Sequence, residues 1–319
     1  MTTIPTAAGN IDSSELGRTL VHEHIFTLGE EYRVNYQSGW NEEEMIERAI
    51  NDLSHLADLG IDTILDPTVL GLGRYIPRIA KIARSTRLNI VVATGLYTFN
   101  DVPMQFHYRG PGLLFDEPEP LVRMFVTDLT EGIAETGIRA AFLKCAIDQP
   151  GLTPGVERAM RAVARAAVET GAPITVHTNA AERTGLIAVD VLRQEGVDLT
   201  KVIIGHSGDS TDLDYLSRLA DAGTLLGLDR FGVDAMASFE DRVSTLVSLL
   251  ERGYASSIVI SHDASCFIDF FDAAAKRSVM PNWNYRHISE DVLPELRRRG
   301  VTESQLRTIL VDNPRRYFE

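Results

Sequence analysis

Thr19-Leu20-Val21-His22-Glu23-His24 is the stretch on which the fold turns. It starts as an apolar strand and ends in His-Glu-His, at the place where an open doubly wound sheet would carry a glycine-rich phosphate turn. Outward from it, seven further short apolar runs follow: Ile61–Asp66, Asn89–Thr94, Ala140–Ala146, Pro173–Thr178, Lys201–His206, Thr224–Leu228 and Ser257–His262. Amphipathic helical runs separate them. Asn41–Leu59 has Asn41 as its cap, Glu44 three residues on and Gly60 as a stop, with Met45, Ala49, Ile50, Leu53 and Leu56 at helical spacing. Pro154–Thr170 follows Thr153 as cap, with proline at the first helical position. Arg74–Ser85, Glu119–Thr136, Arg183–Glu195, Asp212–Ala222 and Phe239–Arg252 complete the alternation. With no Pro/Gly/Ser linker, this predicts an α/β fold, a single (β/α)8 TIM barrel over residues 1–319.

The 319 residues are 44% hydrophobic and carry a net charge of −14, with no basic stripe. That excludes a nucleic-acid backbone as partner and favours a small neutral substrate over an anionic one. Two cysteines, Cys145 and Cys266, make no disulfide framework. The N-terminal residues show neither a basic region nor a long apolar run, and no stretch of about 18 apolar residues occurs anywhere, so a cytoplasmic protein without membrane contact is expected.

In a strand, residues two apart share a face, so His22 and His24 point one way and Glu23 the other. His-x-His alone is a weak signal. His177 and His206 also end strands, however, and Asp263 directly follows another. Parallel strands deliver all five to the C-terminal mouth, where sites of this fold lie. Imidazole with carboxylate suits zinc or another first-row divalent ion. Lys144 lies inside the apolar run Ala141-Phe142-Leu143-Lys144-Cys145-Ala146-Ile147. A buried ammonium costs several kcal/mol unless it is paired or neutral. A salt bridge, a Schiff-base nucleophile and a carbamate bridging two metals are the readings open to it. His262 should face away from the metals, Cys145 should pack as a small buried residue, and His55 and His107 should be structural or exposed.

The chain resembles the phosphotriesterase branch of the amidohydrolase superfamily, and its phosphotriesterase-like lactonases in particular. The resemblance runs from Thr19–His24 to Asp312–Arg316 through Gly71-Leu-Gly-Arg-Tyr, Ala93-Thr-Gly-Leu-Tyr, Leu143-Lys144, Thr175-Val-His, Ile204-Gly-His, Gly227-Leu-Asp-Arg-Phe and Ser261-His-Asp. It implies two divalent metal ions (Zn, with Co, Mn or Fe as alternatives) and N6-carboxylysine at Lys144. His22, His24 and Asp263 would bind the more buried ion and His177 and His206 the other, with carbamylated Lys144 and a hydroxide bridging both. It also implies a homodimer. Asp263 would carry the proton from the attacking hydroxide to the leaving alkoxide.

Three features favour a small neutral lactone or ester as substrate. Asp229–Ser238 is short where dedicated phosphotriesterases have a longer loop. The segment after Asp263 is oily, with Phe267, Ile268, Phe270, Phe271, Met280 and Trp283, and would line an acyl-chain channel through Phe267 and Trp283. Tyr97 and Arg230 match lactonase positions that orient the ring, although Tyr97 simply packing the mouth and Arg230 pairing with Asp229 or another acid are alternatives. The expected activity is hydrolysis of N-acyl-homoserine and related γ/δ-lactones, with phosphotriester cleavage as a side reaction. A dedicated organophosphate triesterase and a non-catalytic binding barrel are the competing readings.

Overall fold

The computed structural model describes residues 2–36 and 39–319. Eight parallel strands follow one another around the axis: β1 (Thr19–Leu20), β2 (Thr63–Asp66), β3 (Asn89–Gly95), β4 (Phe142–Ile147), β5 (Ile174–Thr178), β6 (Val202–Gly205), β7 (Leu225–Leu228) and β8 (Ile258–Ile260). Each pairs with its sequence neighbour, from β1 to β8. Helices lie between them, as in a TIM barrel.

The seam between β8 and β1 closes differently. Asp263 N–H donates to His22 O at 3.0 Å and His24 N–H to Ala264 O at 2.8 Å. Beyond this, His24–Thr27 and Ser265–Ile268 form their own parallel pair, with Ser265 opposite His24. The first strand is therefore shorter than the expected Thr19–His24. Its ladder with β2 stops at Leu20, Glu23 N–H still reaches Leu65 O at 3.0 Å, and from His24 the chain pairs with the other neighbour.

Alternation along the strands divides the interior into two clusters. Leu20, Ile64, Leu143, Cys145, Val176 and Ile204 face the helices. Val21, Leu65, Val91, Ala93, Phe142, Ile203, Leu225 and Val259 fill the barrel axis. Lys144 stands two residues above Phe142, on its face, and so emerges just above this apolar layer. Of the elements that escaped the sequence pattern, two reach the barrel axis, and each is too short to show a period. A hairpin, Thr3–Thr6 with Gly9–Asp12, brings Ile4 to the lower end of the axis, and the terminal helix Asn313–Phe318 brings Tyr317. Tyr317 is hydrogen-bonded to Thr175 of β5 at 2.9 Å.

The helices begin where their caps dictate. Thr153 Oγ1 accepts from Val156 N–H, and the helix runs Pro154–Thr170 before Gly171 ends it in the left-handed region. Asn41 accepts from Glu44 N–H at 3.2 Å to start Glu42–Asp58. The expected Glu119–Thr136 helix stops earlier, at Thr130.

Gly95 ties the fold to the site. It pairs with Lys144 across β3 and β4 at φ +139°, and a Cβ there would lie 1.9 Å from Lys144 O. Gly95→Ala should lower stability by on the order of 3 kcal/mol through strain and displaced backbone. A urea midpoint equal to that of the unaltered chain would contradict this register.

Candidate metal centre

The strand ends bring His22, His24, Lys144, His177, His206 and Asp263 into one cluster. His22 Nε2 lies 3.4 Å and His24 Nε2 3.3 Å from Asp263 Oδ1. Lys144 Nζ is 3.2 Å from His22 Nε2, and His206 Nε2 is 2.8 Å from His177 Nδ1. Glu23, between the two histidines, turns the other way. Its carboxylate is fully buried and accepts from Ser261 Oγ at 2.8 Å, His262 N at 2.8 Å, His262 Nδ1 at 2.6 Å and Ala264 N at 3.1 Å. It thereby holds the loop that carries Asp263. His262 is spent on this clamp and on Ile288 N–H at 2.9 Å, away from the cluster.

The outer nitrogen of each ligand-type imidazole is already committed. Asp229 receives His22 Nδ1–H at 2.8 Å on one oxygen and His206 Nδ1–H at 3.0 Å on the other. Asp148 receives His177 Nε2–H at 2.8 Å. Thr68 donates its hydroxyl to Asp66 at 2.5 Å and accepts His24 Nδ1–H at 2.7 Å. Burial disfavours the charged rings: His22 is lowered, His206 is well below the usual range and His177 falls to about 4. Neutral imidazoles with one nitrogen protonated outward leave a bare lone pair inward. His177 Nδ1 and His206 Nε2 then present lone pairs to each other, and His22 Nε2 presents its own to the Asp263 carboxylate as well as to the Lys144 amine. Such arrangements repel, and divalent cations satisfy them. The donor set fits metal ions.

Lys144 lies against the same cluster. It is 1% exposed and forms no ion pair with any described carboxylate; burial pulls its pKa down to about 8. With that pKa about a tenth of the amine is neutral at pH 7, far more than for an ordinary lysine. Opposite it, Arg230 donates from Nε to Asp263 Oδ2 at 2.9 Å and from Nη1 to Asp209 Oδ2 at 3.0 Å. Arg242 braces Asp209 at 2.7 Å. Arg230 thus pairs with Asp263 and Asp209, and not with Asp229, which is turned inward to the histidines. Two members of the cluster, His206 and Asp263, sit in the left-handed region at φ 62° and 54°. That conformation costs about 1–3 kcal/mol for each non-glycine residue. For His206 it is held by its own N–H on Asp229 Oδ1 at 2.7 Å.

Above the cluster opens a cavity of about 470 Å³. Tyr97, Arg230, Ile268, Phe270, Phe271, Met280 and Trp283 are on its wall, and Phe267 is not. Phe267 stands edge-on to Trp40, their centroids 5.4 Å apart, because it belongs to the seam strand Ser265–Ile268 and packs outward. Tyr97 stands edge-on to the His177 ring at 5.1 Å; burial, helped by Asp148, pushes its hydroxyl up to about 12. Trp283 donates its indole N–H to Asp263 O at 2.9 Å and His262 O at 3.0 Å. His107 bonds Val102 O at 3.0 Å and His55 is exposed.

Sequence reasoning missed Asp229, Asp148, Asp209 and Thr68. Only Asp229 left a trace. A Cβ on Gly227 would lie 2.8 Å and one on Gly205 3.2 Å from Asp229 Oδ2, so both glycines of the Gly205-His206 and Gly227-Leu228-Asp229 motifs make room for this carboxylate.

A barrel mouth furnished in this way is that of a metal-dependent hydrolase. The family profile described as the Phosphotriesterase family matches residues 2–318, and the chain belongs to that family. It is 55% identical to a phosphotriesterase homology protein of Mycobacterium tuberculosis, over 100% of this chain and 98% of that one. It is 40% identical to an aryldialkylphosphatase of Saccharolobus solfataricus, over 97% of each. The solved structure of the phosphotriesterase from Mycobacterium tuberculosis superposes with a TM-score of 0.98 at 55% identity, covering 100% of this chain and 98% of that one.

Asp229→Asn would keep the shape but remove one acceptor, so one of the two Nδ1–H groups loses its partner. Bound metal affinity should drop about 10–100-fold, read by metal analysis after dialysis against a graded chelator. Unchanged affinity would remove Asp229 from its orienting role.

Proposed function

We propose that this hydrolase is a lactonase acting on N-acyl-homoserine and related γ/δ-lactones, with phosphotriester cleavage as a side activity. The observation that supports it most is the cavity directly over the donor cluster, with an apolar wall of Leu72, Val233, Met236, Ile268, Phe270 and Met280 suited to an acyl chain. His22, His24 and Asp263 would hold one divalent ion, His177 and His206 a second. Zinc suits these donors. When bound, such a pair polarises the scissile carbonyl and acidifies water.

The chain's own groups do the rest. The neutral Lys144 amine adds carbon dioxide at Nζ, releasing one proton and becoming a carbamate anion whose two oxygens join the ligand set. Tyr97 keeps its phenolic proton and orients the substrate from beside His177. Arg230 has spent only two of its five N–H donors and offers the others to the ring oxygens. Asp263 takes the proton of the attacking water at Oδ2, the oxygen facing Arg230, and passes it to the departing alkoxide. A homodimer and a cytoplasmic location belong to the same reading. Phe99, Met104, Tyr108, Leu114 and Phe115, all at least half exposed, offer an apolar face for a second copy. In the described residues no helix is long and apolar enough to cross a membrane.

The resemblance to an aryldialkylphosphatase keeps a dedicated triesterase as the second reading. Chelation followed by readdition of defined metals, with kcat/KM measured for an acyl-homoserine lactone and a phosphotriester, separates the two. The lactone should be preferred, and a large preference for the phosphotriester would overturn the choice. Lys144→Ala should lose metal and turnover together, by more than about 100-fold in affinity. Full occupancy and turnover in that variant would reject the carbamate.

A further inference from the structure

A second cavity, about 450 Å³, lies behind the first. Ser265, Ile268, Phe271, Met280 and Trp283 line both, so one thin wall separates them. Their chemistry differs. Arg48, Lys276, Arg277 and Arg286 surround the second cavity with Asp52 as its single carboxylate. Asp52 lies 3.6 Å from Arg48, and among the described residues the other three cations form no ion pair. Three cations without an ion-pair partner around one hollow, Lys276 half-buried and Arg277 and Arg286 exposed, stand out in a chain whose net charge is −14. Lys276 is the most telling. Its ammonium lies 3.9 Å from the centroid of the Trp283 ring, while the indole N–H of the same ring is bonded to Asp263 O. Burial pulls this lysine down to about 8, as befits an ammonium with no counter-ion. Ser265 Oγ, in the shared wall, is buried without a hydrogen-bond partner.

We propose that this second cavity is an anion subsite that selects substrates carrying a carboxylate or phosphate at the end remote from the scissile ester. The reacting group would sit over the donor cluster, the apolar middle would pass the wall at Ile268, Phe271 and Met280, and the anionic end would meet Lys276, Arg277 and Arg286. This deepens the lactonase reading and rests on it for the identity of the scissile bond. It modifies the expectation from overall charge, because the field that a substrate's tail meets is set by the groups around it and not by the sum over the chain.

Two measurements test it on the metal-loaded enzyme. The first compares kcat/KM for three lactones with acyl chains of equal length, ending in methyl, carboxylate or phosphate. The charged chains should be favoured on the order of tenfold, the sum of a few partly exposed ion pairs. The double variant Arg277→Gln/Arg286→Gln, which keeps Lys276, should cut that preference to about threefold or less and leave the methyl-terminated lactone within about twofold. If only one charged terminus gains, that arm names the anion. No gain for either, or an equal loss for all three lactones in the variant, overturns the subsite.

The second measurement stands apart from turnover. In a Trp40→Phe background Trp283 is the one remaining tryptophan and can be excited selectively at the red edge of the absorption band; titration with glutarate and with butyl phosphate should change its emission, at ligand concentrations that rise at least severalfold in the double variant. A saturable response with no lactonase activity would sink the lactonase reading alone. A silent Trp283 in an active lactonase would sink the subsite alone.

Discussion

Asp229 lies without exposed surface between two imidazoles, one oxygen on each Nδ1, and takes a third hydrogen bond from the His206 backbone. Burial alone would raise its pKa, yet the two histidine rings hold it well below the carboxylate range. A buried carboxylate is tolerated only when its lone pairs are filled. Here that requirement sets the geometry of everything inward of it. The acceptor fixes which nitrogen of His22 and His206 carries the proton, locks both rings in rotation and stabilises the left-handed backbone of His206. Asp148 and the Thr68–Asp66 pair do the same for the remaining two rings. The reactive face of the site is thus determined from behind.

The sequence carried the barrel well, because eight β-branched runs at regular intervals leave few alternatives, and all eight became strands. The inward-pointing residues were equally legible, since histidine at a strand end and lysine within a strand conflict with their surroundings. Their supporting carboxylates were not. Asp148, Asp209 and Asp229 follow their strands as ordinary polar residues would, and nothing local separates a buried acceptor from a solvated one. The glycines at 205 and 227 gave the one steric clue. Phe267 lies off the first cavity, on the wall of the second, for a related reason: a run of oily residues after Asp263 reads as a single lid, whereas its first part is a strand whose side chains go to different sides.

That strand, Ser265–Ile268, serves three ends at once. It closes the barrel against His24–Thr27, its first residue follows closely on Asp263, and it forms part of the wall between the two cavities. Glu23 fastens the start of this segment with four hydrogen bonds from Ser261, His262 and Ala264. Substrate shape and barrel closure are therefore adjusted by the same few residues, so a change that widens the wall also loosens the seam.

The apolar layer beneath Lys144, stoppered by Ile4 and Tyr317, gives the molecule a blind end. A reactant and its product therefore share the one cavity over the cluster, whose wall includes Phe270, Phe271 and Met280. Departure of one and arrival of the next thus compete for one stretch of surface, and the residues that line it govern the traffic in both directions.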